Sequence, residues 1–189
     1  AALARLRRHL PAAAGRPDAA IAALGLQLHD AQSCVAREHG CVSWTDLATL
    51  VAARRAQADD PARARLHWLR LVYAGDLAGS MDNPRPAVAA RLLAEQPADG
   101  DALVACATGD AVALQAAIAD DPGWLHRPHG VLRLPPLVAV SHSSLLQLPA
   151  FRPALLASVR LLLAAGADPN QQVGNRGPPA SLQSPSDTE

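Results

Sequence analysis

The chain has 189 residues, enough for one domain or two small ones with a real core. Half of it is apolar, yet it holds one Phe and one Tyr beside three Trp, so Leu, Ala and Val must build that core, which suits close-packed helices better than a β-sandwich. The formal net charge is zero, and no apolar stretch is long enough to span a bilayer, so neither nucleic acid nor a membrane is expected as a partner.

The chain opens without Met, inside a helical pattern at Ala1, and is expected to be a fragment or a processed product, truncated at both ends. Asp18 to Leu24 reads as a short helix stopped by Gly25, and His29-Asp30 to His39 as a second, stopped by Gly40. Ser43-Trp44-Thr45-Asp46 matches a capping box, in which Ser43 bonds forward and Asp46 reaches back. The helix that follows runs to about Arg55 and is expected to bury Trp44, Leu47 and Val51. These elements form an N-terminal helical unit over 1–58.

Three helix pairs are expected over 59–172. Asp60 caps the first, Pro61 takes its first helical position, and the helix runs to about Ala74 with Leu66, Leu69 and Tyr73 on one face. Its partner starts at Asn83-Pro84, carries Val88, Leu92 and Leu93, and ends at Pro97. The second pair has a short helix from Asp101 to Thr108, a break at Gly109, and a partner over about Ala111 to Ala119 with Val112, Leu114 and Ile118 apolar. The third begins at Pro136-Leu137 and ends at Gly166, with an apolar insert at Ser143 to Arg152 between its helices. Leu69, Leu103 and Leu137 begin three similar apolar runs and fall 34 residues apart. After them comes Arg160-Leu161-Leu162-Leu163-Ala164-Ala165-Gly166-Ala167-Asp168-Pro169-Asn170, a helix ended by glycine and followed by a turn.

This Gly-Ala-Asp-Pro-Asn ending and the 34-residue spacing resemble ankyrin repeats, whose unit is about 33 residues. The pattern Asp30-Ala31-Gln32, Ala36-Arg37-Glu38-His39-Gly40 and Ser43-Trp44 is similar to the helical region that precedes such repeats in bacterial proteins. The resemblance covers about residues 18 to 172 and departs from the family at Leu134 to Val138, where Val138 replaces the repeat-start histidine. It implies an all-α, ankyrin-like helix-pair solenoid with an N-terminal helical unit, acting as a protein-binding module with no catalytic activity of its own and using the first helices and the finger loops. The residues expected to meet a partner are Trp124, read as either a buried anchor or an aromatic contact, His126, Arg127 and His129 of the finger loop, whose histidines are expected to be exposed, and Leu146 and Phe151 of the insert, which either folds back as a minor core or forms an exposed patch. The other reading is a regulatory or structural domain of a longer enzyme whose active site lies elsewhere. The stretch from Gly174 to Pro179 and the Ser-rich end beyond it cannot bury a helix face, so 173–189 is expected to be a disordered tail that leaves one apolar side of the last pair uncovered.

Chemistry is sparse. All seventeen basic residues are Arg, which excludes a phosphate-loop lysine, a Schiff-base lysine and a Ser-Lys pair and suggests a GC-rich, bacterial genome. Cys34, Cys41 and Cys106 are an odd count without framework spacing, which points to a reducing cytoplasm. Neither Cys34, His39 and Cys41 nor His126, His129 and His142 match a metal module, so no metal and no cofactor is expected. A third hypothesis, a metal-dependent enzyme using His126 and His129, finds no acidic or thiol ligand in their loop. Asp59-Asp60 and Asp120-Asp121 each precede a proline at a helix boundary and read as caps. His142 ends a helix, where a bond to a local carbonyl is expected.

Overall fold

The computed structural model describes residues 2–80, 82–95, 100–171 and 173. All regular elements among them are helical, and the one strand-like feature is an isolated antiparallel bridge between His129 and Leu134. No helix among these residues is long and apolar enough to cross a membrane. The chain divides at Asp59–Asp60 into two compact units. Apart from Val173, the expected tail lies outside the described residues.

In the first unit, α1 (Ala2–His9), α2 (Asp18–Ala22), α3 (Leu28–Glu38) and α4 (Trp44–Asp59) follow one another, with a 3-10 turn at Pro11–Ala13. Leu10, Ala13 and Ile21 are buried together, and Leu3, Leu6 and Leu24 close over them. This places α1 against α2 and α3, while α3 packs on α4. Arg5 adds a guanidinium–carboxylate pair to Glu38, which holds that carboxyl below its ordinary range mainly through the hydrogen bond. Ser43 Oγ accepts the Asp46 amide at 3.1 Å, as the capping pattern requires. The buried face of α4 differs from the expected one: Leu50 and Ala53 are inside, whereas Trp44 is 43 % and Val51 37 % exposed. Apolar side chains lie on more than one face of α4, so periodicity alone does not single out the side that packs.

The second unit contains α5 (Pro61–Val72), α6 (Gly75–Ala78), α7 (Pro86–Glu95), α8 (Ala102–Thr108), α9 (Ala111–Asp120), α10 (Pro136–Ser141) and α11 (Arg152–Ala164), with 3-10 turns at Pro122–His126 and Ser144–Gln147. Aspartate caps set three of the starts. Asp60 accepts from Ala62 and Arg63, Asp101 from Leu103 and Val104, and Asp110 from Val112 and Ala113. Helix α8 packs on α9 and α10, and α11 packs on α8, α9 and α10. Leu103 and Leu114 are fully inside this group, as are Val140, Leu155 and Leu162.

The first expected pair takes a different course. Helix α5 stops at Val72, and Gly75 opens the short α6 instead of closing a longer helix. The cause is Tyr73. Its backbone is extended, its ring is wholly buried, and its hydroxyl donates to the Ala139 carbonyl of α10 at 2.9 Å. The insert also turns inward: Leu145 is fully buried and the 144–147 turn packs on α7. In a linear stack each pair touches only its neighbours. Here the first segment meets the third through Tyr73 and the insert, which corrects the expectation of purely serial stacking. Two further bonds tie the parts together, Trp68 Nε1 to the Ala89 carbonyl at 2.9 Å and Ser143 Oγ to the Ala107 carbonyl at 2.6 Å.

Tyr73→Phe keeps the ring and removes the hydroxyl, leaving the Ala139 carbonyl short of a buried donor. A loss of about 1–3 kcal/mol in unfolding free energy is expected by urea titration. Unchanged stability would mean that this bond does not hold α5 to α10.

His67, on the exposed-to-buried edge of α5, gives a pH prediction. Its Nε2 is buried without a hydrogen-bond partner, and burial first, then the Arg70 charge, lowers its pKa from the ordinary 6.5; Asp82 opposes this and Arg63 adds to it. The unfolded chain therefore binds this proton more readily than the folded one. Stability from neutral His67 is complete above about pH 6.5 and declines as pH falls toward the lower folded value. His67→Gln is expected to flatten the unfolding free energy against pH below that point. Superimposable curves for the two proteins would refute the assignment.

Candidate functional site

The loop between α9 and α10 carries four of the six residues expected to meet a partner. Asp121 starts it: one carboxylate oxygen accepts the Gly123 amide at 2.9 Å, and the other pairs with Arg127. That cap winds the chain into the Pro122–His126 turn and points Trp124 and Leu125 inward. Trp124 is 7 % exposed, so it is a buried anchor and not an accessible aromatic contact. His129 was expected in solvent, but it is half-buried and stacks on the Trp124 ring with centroids 5.2 Å apart. Its Nε2 lies 2.7 Å from the Trp124 carbonyl, which has no proton to give, so Nε2 carries the hydrogen. His126 and Arg127 are exposed.

The rest of the loop closes through His129 and Leu134, which exchange backbone bonds of 2.9 and 3.1 Å. Gly130 sits between them at φ +65, and a Cβ there would lie 2.9 Å from the Leu103 side chain. The loop is thus seated on α8. Gln171, beyond the last helix, donates to the His126 carbonyl at 2.8 Å. The surface formed here presents His126, Arg127 and Val131 over a buried base of Trp124, Leu132 and Leu134.

The other two expected residues lie in the insert. Leu146 and Phe151 are half-buried. Leu145 in the same insert is fully buried, so the insert is both a small core and a partly open surface. Behind it, an open groove of about 530 Å³ runs between the end of α5 and the start of α11. Ser144 and Arg152, near the two ends of the insert, line it, and nothing local in the sequence tells which of the adjacent serines acts as the cap. Ser143 Oγ accepts the Leu145 amide at 3.3 Å, while Ser144 Oγ is buried with no partner.

These groups form no reactive constellation. Ser141 Oγ is 3.0 Å from His142 Nδ1, but that nitrogen also lies 3.1 Å from the Val138 carbonyl. Nδ1 serves one of these at a time, as acceptor for the Ser141 hydroxyl or as donor to the Val138 carbonyl, and the same carbonyl already accepts the His142 amide at 3.0 Å. Cys34, Cys41 and Cys106 are buried and in no disulfide. Burial, with Asp101 adding, pushes the Cys106 thiol up to about 12, which leaves it a packing group and not a nucleophile. Among the described residues no three His, Cys, Asp or Glu side chains are grouped so as to hold a metal ion.

Comparison with protein-family models, with curated proteins and with solved structures finds no match for this chain.

Proposed function

We infer that this chain is a protein-binding module built on ankyrin-like helix pairs, with no catalytic activity of its own. The observation that carries the reading is the order of packing in α8 to α11. The first helices of two successive pairs, α8 and α10, lie together; the second helices, α9 and α11, lie together; and the loop that joins the pairs is folded back on α8. Leu69, Leu103 and Leu137, at the 34-residue spacing, are all buried on α5, α8 and α10. Gly109 and Gly166 close the helices before a turn, at φ +78 and +98. A partner would be held by the exposed loop residues His126 and Arg127 and by the half-buried Leu146 and Phe151. Three buried thiols suit a reducing cytoplasm.

The test is capture of a partner by the full chain from cells of its source, repeated with Arg127→Ala and with Phe151→Ala. Circular dichroism would establish that each variant is folded. Loss of one discrete partner in either variant is the expected result. Retention of every captured protein by both would remove the surface assignment, and absence of any stoichiometric partner would remove the function.

A further inference from the structure

Helices α9 and α11 pack on each other, and each has a further face that this contact leaves open. A groove of about 500 Å³ runs along α8 and α9, and no residue of α10 or α11 lines it. Ala113, Ala116 and Ala117 of α9 line it, with Ala105 of α8. Side chains this small let another helix approach closely. The rim is acidic: Asp101 and Asp110 line the groove, and no basic residue does. Asp101 is paired with Arg65 at 3.1 Å. Asp110 caps α9 through one oxygen and pairs with no cation among the described residues. Asp120, seven residues beyond Ala113 on the same side of α9, is exposed and equally without an ion pair among them.

The open face of α11 is the reverse in both size and charge. Leu155, Ser158 and Leu162 are buried, while Leu156 is 44 % and Leu163 43 % exposed. Arg152 and Arg160 stand four residues before and after Leu156, on its side of the helix. Both are exposed, and neither pairs with a carboxylate among the described residues, whereas Arg5, Arg7, Arg65, Arg91 and Arg127 each do. At 1.5 Å per residue the two arginines lie about 12 Å apart along α11, and Asp110 and Asp120 about 15 Å apart along α9. Large apolar side chains between two cations thus match small ones between two carboxylates. The chain's own α11 is held against α8 and α9 by its buried face, so the match can be made only between molecules. We propose that the groove along α8 and α9 receives α11 of a second copy of this chain, with Leu156 and Leu163 over the alanines and the arginines beside Asp110 and Asp120. The contact is head to tail: each copy uses one face and keeps the other free, so copies add in series or close into a ring. One helix in one groove buries less than a standard interface of about 1,600 Å², so a Kd of about 10–100 µM is expected.

Sedimentation equilibrium of the full chain over about 5–500 µM is expected to show reversible self-association. Leu163→Glu on α11 and Ala116→Arg in the groove, both at exposed positions, are each expected to weaken it at least about tenfold, with circular dichroism showing an unchanged fold. Asp110→Asn keeps the cap but removes the charge and is expected to weaken it about threefold. The mixture of the first two variants decides the geometry. Leu163→Glu retains its groove and Ala116→Arg retains its α11, so together they are expected to form a one-to-one dimer of wild-type strength that grows no further. A chain that stays monomeric to about 500 µM would overturn the proposal. So would a mixture that stays monomeric, or association abolished by Leu163→Glu and untouched by Ala116→Arg, which would mean two α11 faces meeting each other. Arg127→Ala is expected to leave self-association unchanged; its loss there would assign the contact to the loop and not to the groove.

Discussion

Gly109→Ala is expected to be among the most damaging single substitutions in the second unit, lowering the unfolding free energy by about 3 kcal/mol or more. Two costs combine. The backbone stands at φ +78, where an L side chain costs about 1–2 kcal/mol. A Cβ at this position would also lie 2.7 Å from the Ala154 carbonyl carbon and 2.7 Å from the Leu155 nitrogen, both backbone atoms of α11. Backbone cannot swing away as a side-chain tip can, so α11 must shift off α8 and α9, and overpacking of this kind costs about 1–3 kcal/mol. Gly166→Ala is the matched control. Its φ is +98, but nothing lies within 4 Å of the added Cβ, so it should lose only the conformational cost of about 1–2 kcal/mol. Urea midpoints with unchanged slopes would measure both. Equal losses at the two sites would show that α11 does not press on Gly109.

Trp124→Ala is expected to cost about 3–5 kcal/mol, the usual range for deleting a buried large aromatic. The ring is 7 % exposed and carries the stacked His129, so the substitution empties the base of the loop. His126→Ala, at an exposed position, should stay within about 0.5 kcal/mol of wild type, and Arg127→Ala should lose no more than about 1 kcal/mol with its surface ion pair. This separation matters for function. A binding defect in Trp124→Ala would report a collapsed loop, whereas one in Arg127→Ala with normal stability would report a contact. Guanidinium denaturation followed by circular dichroism provides the comparison; a Trp124→Ala protein as stable as wild type would mean that the ring is not the anchor of the loop.

Local chemistry was readable wherever a residue acts on its own neighbours. Asp60 and Asp101 cap helices as their positions before an apolar run imply. Asp168 Oδ1 accepts the Asn170 amide at 2.8 Å, making the turn that the Gly-Ala-Asp-Pro-Asn run announces. Asp110 follows the break at Gly109 directly and caps the next helix, so the end of α8 and the start of α9 share the same few residues. Val112 shows the limit of periodicity. It lies in the expected apolar stripe of α9 but is 77 % exposed, because that helix is apolar nearly all round and its pattern selects no face.

The candidate site divides along the same line. The apolar insert is legible in the sequence as a connection too apolar for its place, and the loop from Pro122 to Pro135 as a finger between helix pairs. Their chain positions do not say that Trp124 turns inward, that His129 lies on its ring, or that Ser144 and Arg152 border one groove with Val72. Those placements join residues separated by up to about eighty positions, and no short-range preference reports them.

The amino-acid order by itself determined that the chain is helical, where most helices start and stop, and that leucine, alanine and valine fill the interior, because capping, φ > 0 at glycine and the 3.6-residue period act within a few residues. The tertiary structure alone decided which faces are covered and which segments meet. Tyr73 binds the Ala139 carbonyl, and the insert closes on α7, because a buried hydroxyl and an apolar turn must each find whatever partner the assembled unit offers.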